Sequence, residues 1–234
     1  FFSMLLPLTW WLRDAGFVKA RWKLNLAIFG QVVGLVLAGS RGPWMGTMLA
    51  FSIPLIFWTR ARGLIMAVAL AGGLVGALAL GDTIASYMTI ERGQAKTQEQ
   101  ETVAYRWEML DHYVELVKLR PGIGYGKDNI PIVKGMKSID NQYLYTALLH
   151  GMPAAVFFLA TMLIPALLLF VRALQRPLDD PLTRLGFALT GILAGAIFTQ
   201  CTVFAGTQTE QVLFLLIGGA ITLADRLRVH PAAP

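Results

Sequence analysis

Long apolar runs separated by polar turns constrain this chain more than any other feature. After an opening run at residues 1–12, they fall near 24–38, 44–58, 64–80, 144–171, 185–204 and 212–223. Hydrophobic residues make up 56% of the 234, more than a soluble domain usually carries, and mean hydropathy is +0.58. Backbone polar groups in hydrocarbon must be satisfied within their own segment, so such runs are read as membrane helices. The run at 64–80 is rich in Gly and Ala, which permits close helix contact. The run at 144–171 is long enough for one tilted helix, with Pro153 near its start and Pro165 as a site for a kink. The opening run is short for a crossing. No basic segment precedes Phe1, so it does not read as a signal peptide; it is expected to be the tail of a helix cut by a boundary.

The short loops set a topology. They hold Arg13, Lys19, Arg21 and Lys23, then Arg60 and Arg62, then Arg172, Arg176 and Arg184, and finally Arg226 and Arg228. All fall on one side if every run crosses once, and the positive-inside rule makes that side cytoplasmic. Arg41, the segment 82–142 and the turn 205–211 then face outward. The segment 82–142 has eight basic and nine acidic residues, so it is near neutral. The expected fold is all-α: a polytopic transmembrane helical bundle with a long periplasmic loop containing short helices. Its parts are 1–81 (a partial first helix plus three transmembrane helices), 82–142 (the periplasmic loop) and 143–234 (three transmembrane helices and a cytoplasmic tail). No internal repeat is found. The net charge of +6 is not gathered on one face or tract, which argues against nucleic acid. Cys201 is the single cysteine; it cannot form an internal disulfide and reads as a small buried side chain in an apolar run.

Within the outer segment, residues 82–102 read as a solvated linker. A helix is expected over 103–119, with an apolar stripe of Val103, Trp107, Leu110, Val114 and Val117 and a wet face of Asp111, Glu115 and Lys118. Arg106 borders that stripe. Pro121 stops the helix. The sequence Arg120-Pro121-Gly122-Ile123-Gly124-Tyr125-Gly126 superficially resembles a phosphate nest. It lacks the lysine and serine of a nucleotide loop, so a tight turn is expected instead.

Two sites stand out chemically. Arg41, in Ser40-Arg41-Gly42, lies at the outer end of an apolar run, where an arginine is expensive and calls for an anionic partner. A lipid-linked phosphate fits that demand, although an arginine snorkelling to the interface is the plainer account. Asp140 and Asn141 lie at the outer mouth of the run at 144–171. Either can cap a helix, or the pair can orient a sugar hydroxyl. Tyr125, Tyr143 and Tyr145 suit stacking on sugar rings and equally suit an interfacial aromatic belt. Glu210 is an outward carboxylate able to pair with Arg41 or Arg106. His112 and His150 read as surface and structural residues. No histidine and carboxylate spacing suggests a metal.

In their order, Ser40-Arg41-Gly42, Tyr105-Arg106-Trp107, Pro121-Gly122-Ile123-Gly124-Tyr125-Gly126, Asp140-Asn141-Gln142-Tyr143-Leu144 and Gly151 carry a resemblance. Over about 24–223 the chain resembles the C-terminal half of the O-antigen ligase and polysaccharide polymerase family of bacterial membrane enzymes. Family members usually have ten or more spans, so further N-terminal helices are expected. The resemblance implies transfer of a glycan from undecaprenyl diphosphate to a saccharide acceptor on the periplasmic side of the inner membrane, without a cofactor. It implies that Arg41 and Arg106 bind the diphosphate. Polysaccharide export or chain-length proteins are further implied partners. Ligases of the family typically carry a histidine where this chain has Asp140, which favours a polymerase over a ligase.

The chemistry agrees with that class. The diphosphate gains charge as the glycosidic bond breaks, and guanidinium groups pair with its oxygens. Stabilising that charge where it grows is the larger lever. A free carboxylate is a weak base near neutral pH, so Asp140 either takes the acceptor proton in surroundings that favour it or only orients the hydroxyl. Direct displacement would invert the anomeric centre. Two other classes compete: a lipid-linked glycan transporter or flippase, and a non-enzymatic assembly protein whose outer loop docks a partner. Clustering of charge at the outer ends rather than mid-membrane favours the enzyme.

Overall fold

A computed structural model of the chain describes residues 2–58, 63–68, 71, 92–94, 97–136, 138–204 and 206–229. Among these residues the regular structure is helical and no strand occurs. The helices are α1 (Phe2–Asp14), α2 (Arg21–Leu37), α3 (Arg41–Phe57), α4 (Gln98–Leu119), α5 (Gln142–His150), α6 (Met152–Leu174), α7 (Pro181–Gln200) and α8 (Gly206–Val229), with a 3-10 turn at Arg92–Gln94. The run expected at 64–80 is helical at 63–68; most of its remainder lies outside the described residues. So do Arg60, Arg62, Lys137 and most of the linker expected at 82–102.

Six crossings and a partial helix are expected from the runs; among the described residues, length and composition single out two, α6 and α7. Cys201, expected to be buried, is exposed, because it is the C-cap where α7 ends. Helices α2 and α3 have 17 residues each, which is about 26 Å at the α-helical rise and short of a ~30 Å hydrocarbon core. No residue of α2 is buried, and Trp22, Leu26, Phe29 and Leu37 are all exposed.

The chain divides into two compact units, Phe1–Arg62 with Phe158–Pro234, and Gly63–Phe157. The first is built around α7. Twelve residues of this helix are buried, Gly186 to Leu193 without a break. It meets α3 along a seam of small residues in which backbone touches backbone. A Cβ on Gly195 would press on the Gly46 carbonyl and lie 2.9 Å from Ala50 Cβ; a Cβ on Gly46 would lie 2.9 Å from the Gly195 carbonyl. Small residues four apart make that approach possible, and between membrane helices such packing replaces the missing hydrophobic drive. Beyond the seam, Phe57 stacks on Phe187 at 5.1 Å, and Phe170 meets Phe187 edge-on at 6.0 Å. The start of α7 is pinned by two indoles and one ion pair. Trp11 Nε1 donates to Pro181 O at 2.9 Å and Trp58 Nε1 to Arg184 O at 3.1 Å. Arg184 Nη1 meets Asp14 Oδ2 at 2.7 Å. Helix α7 begins at Pro181 rather than 185: Asp180 accepts from Leu182 N at 3.0 Å as its cap, and Pro181 tolerates the first turn.

The second unit pairs α4 with α5. Thr97 Oγ1 accepts from Gln100 N at 3.3 Å and starts α4 five residues earlier than expected. The buried face of α4 is Met109, Tyr113 and Val117, flanked by Tyr105 and Leu116, against Leu144, Ala147 and Leu148 of α5. The expected stripe is therefore rotated: Trp107 and Val114 are exposed, and only Val117 of that stripe is buried. The helix carries apolar side chains on more than one face, and the face that meets Leu144, Ala147 and Leu148 of α5 becomes the core. Asp111, Glu115 and Lys118 do form the wet face.

One helix over 144–171 is not what forms. Gly151, at φ 90, ends α5 and separates it from α6. The glycine-rich segment explains the break. Tyr125 N donates to Leu148 O at 2.7 Å, Gly126 N to Leu149 O at 3.0 Å, and Met152 N to Pro121 O at 2.8 Å. The last carbonyls of α5, which have no partner within the helix, thus receive donors from the loop. Gly124, at φ 67, lies so close that a Cβ would fall 2.6 Å from Leu148 O.

Candidate active site

Arg41 is the first residue of α3, following Ser40, whose extended backbone precedes the helix. Its side chain is exposed. A cation here adds to the positive end of the helix dipole instead of offsetting it. An anion at the same place would meet helix amides and a guanidinium together. Gly42 is buried beside it because Thr202 fills the space a Cβ would need. Glu210 is half-buried near the start of α8 and forms no ion pair among the described residues.

In the second unit a phenol ties Asp140 to α4. Tyr105 Oη donates to Ser138 O at 2.8 Å and accepts from Ser138 N at 3.1 Å. Ser138 Oγ donates to Asp140 Oδ1 at 2.7 Å. Asn141 Oδ1 accepts from Leu144 N at 2.9 Å, so Asn141 and not Asp140 caps α5. The loop holding Asp140 is therefore fixed at both ends, by α4 through Ser138 and by α5 through Asn141. Arg106 follows Tyr105 on α4 and is half-buried, with its Nε shielded from solvent; Glu108 Oε2 is shielded too.

Tyr125, a candidate sugar platform, is also tied into the fold. Its hydroxyl donates to Leu116 O at 2.9 Å, and the Arg120 guanidinium lies 5.0 Å from its ring centre. Both ends of the side chain serve the α4–α5 junction. Tyr143 and Tyr145 are half-buried on α5. His112 Nδ1 lies 2.8 Å from Glu108 O on the wet side of α4, and His150 is exposed at the end of α5. No three His, Cys, Asp or Glu side chains gather as a metal site among the described residues. Deeper in this unit, burial pushes the Tyr113 phenol above its ordinary value of 10.0, against a lowering hydrogen bond with the Val133 backbone.

The structure adds Tyr105 and Ser138 beside Asp140, neither of them expected from the sequence as a partner of that carboxylate. Local signals for both exist: Tyr105 directly precedes Arg106, and a hydroxyl two residues before a carboxylate can reach it. Arg41 and Glu210 belong to one unit, and Arg106, Asp140, Asn141, Tyr143 and Tyr125 to the other.

Residues 26–159, more than half of the chain, match the model of a family described as O-Antigen ligase. The match stops within α6, well before the residue 223 to which the resemblance was expected to run. No curated protein matches the chain.

Proposed function

The chain belongs to the O-antigen ligase family, and from that premise we propose that it is a multi-pass enzyme of the bacterial inner membrane that polymerises undecaprenyl-diphosphate-linked oligosaccharides. The observation carrying this reading is the anchored carboxylate, Asp140, held by Ser138 and, through it, by Tyr105 on the helix that bears Arg106. Arg41 and Arg106 bind the donor diphosphate and stabilise its growing charge. Arg41 suits that part because its place at a helix N-terminus favours an anion. Ser138 occupies Asp140 Oδ1, which leaves Oδ2 to receive the acceptor hydroxyl and align it with the anomeric carbon. The acceptor oxygen attacks from the opposite face and forms the new C–O bond as the bond to the diphosphate oxygen breaks; the centre inverts, the lipid diphosphate leaves, and the acceptor proton passes late to Asp140 Oδ2. Tyr143 offers a ring, and Glu210 a carboxylate, to the sugars at the periplasmic face.

Ligation to a lipid or protein acceptor is the second reading, favoured by the description of the matching family. The test uses the full-length protein in proteoliposomes with undecaprenyl-diphosphate-linked repeat units. A ladder of lengthening glycans with released lipid diphosphate supports the polymerase. A single transfer to an added acceptor supports the ligase. Movement of the lipid across the bilayer with no product would replace both with the flippase reading.

A further inference from the structure

The arginines near the C-terminal end of α6 and α8 do not all serve the fold. Arg176 donates from Nε and from Nη2 to the carbonyl of Leu227, so it satisfies the end of α8. Arg184 pairs with Asp14 and donates to Leu178 O at 3.0 Å. Arg172 in the last turn of α6 and Arg226 in the last turn of α8 have no ion pair among the described residues. They share the rim of a groove of about 550 Å³ whose apolar wall includes Pro165, Leu168 and Ile221, with Asp225 on the same rim. Leu168 is 48% and Ile221 54% exposed, so the wall is open. The C-terminal ends of helices attract cations, but Arg176 already occupies that of α8, which leaves Arg226 in surplus.

We propose that this groove is a binding site for an anionic glycerophospholipid with a hydroxylated headgroup, of the phosphatidylglycerol type. The phosphodiester sits between Arg172 and Arg226, where guanidinium donors match its oxygens. One acyl chain lies along Pro165, Leu168 and Ile221. Asp225 accepts from a headgroup hydroxyl, which balances the second arginine. The volume lies within the range of ligand-holding clefts, and basic pockets between membrane helices on the cytoplasmic side are known to hold anionic headgroups. The site requires α6 and α8 to lie in a bilayer and does not depend on the glycosyl-transfer reading.

Native mass spectrometry of the full-length protein, with equal short-chain phosphatidylglycerol and phosphatidylcholine, tests this. The wild type retains phosphatidylglycerol in preference. The double variant R172Q/R226Q loses that preference, with binding weakened roughly 30-fold at about 1 kcal/mol per arginine. Leu168→Trp fills the groove at an exposed position without touching the charges, and loses it as well, so the test stands even if the double variant folds poorly. Arg228→Gln, outside the groove, keeps it. Equal retention of both lipids by the wild type overturns the proposal, as does a preference that survives in L168W. An equal loss in R228Q would also overturn it, because general basic attraction would then explain the binding.

Discussion

Replacing Gly195 by alanine adds one methyl group to the backbone-to-backbone seam of the first unit. That carbon would press on the Gly46 carbonyl and lie 2.9 Å from Ala50 Cβ, where ordinary contact begins at 3.4 Å. Backbone cannot rotate aside as a side chain can, so α3 and α7 must separate by at least about 0.5 Å. Overpacking of this kind costs about 1–3 kcal/mol. Gly218 of α8 is the internal control, because a Cβ there meets nothing within 4 Å. Alanine at Gly218 should stabilise by up to about 1 kcal/mol through helix propensity. The propensity gain is common to both variants, so the two, identical in composition, should differ by the overpacking cost, roughly 1–3 kcal/mol. Thermal unfolding of the full-length protein in one detergent reads the difference directly. Because α3 begins at Arg41, Gly195→Ala should also displace that guanidinium and lower turnover, by up to about 100-fold for an ångström of misplacement. Equal melting midpoints for the two variants would refute the seam.

Three further outcomes follow from the second unit. Tyr105→Phe keeps the ring and removes two hydrogen bonds to Ser138; being exposed, they should cost only about 1 kcal/mol in stability, while turnover falls by more than tenfold and the donor KM holds. A matching small loss in both would mean that the phenol does not position Asp140. Asn141→Ala should lower stability by about 1 kcal/mol through the lost cap, and Asn141→Ser should restore most of it; failure of serine to rescue melting would point to a part beyond capping. The folded unit keeps Tyr113 neutral, so its contribution is complete below pH 10.0, the ordinary value, and is lost as pH rises through the raised one. The wild-type melting midpoint should fall more steeply above pH 10.0 than that of Tyr113→Phe, and parallel slopes would contradict the assignment.

Hydropathy located the helices and misplaced their ends, for a physical reason. An apolar run marks what a bilayer tolerates, whereas a helix ends where its backbone bonds are handed to caps. Asp180-Pro181 and Asn141 are legible caps that lie outside the apolar runs, so reading hydropathy alone starts those helices late. Gly151 was less legible. Its φ is 90, and a Cβ there would run into Gly122 and Ile123, which lie about 30 residues away in sequence. The face of α4 was misjudged because Trp107 and Val114 fit a helical period as well as Met109 and Tyr113 do, and only the partner α5 decides between them. Of the proposed site, Arg41 and Asp140 stand out because they lie at the ends of apolar runs, where charge is costly, and Arg106 stands out through the family resemblance. The Tyr105–Ser138 clamp spans 33 positions; each residue has a local signal beside a charged neighbour, but only the fold brings the two together.

The central claim is that Arg41, Arg106 and Asp140 carry glycosyl transfer. The most direct measurement is release of undecaprenyl diphosphate by the full-length protein in proteoliposomes, for the wild type, Arg41→Ala, Arg106→Ala and Asp140→Ala, each checked for a wild-type melting midpoint. Loss of one donor to the developing charge is expected to lower turnover about 100- to 1,000-fold, with Asp140→Ala losing turnover while donor binding stays intact. Wild-type turnover in a folded Asp140→Ala, or in both arginine variants, would contradict the account.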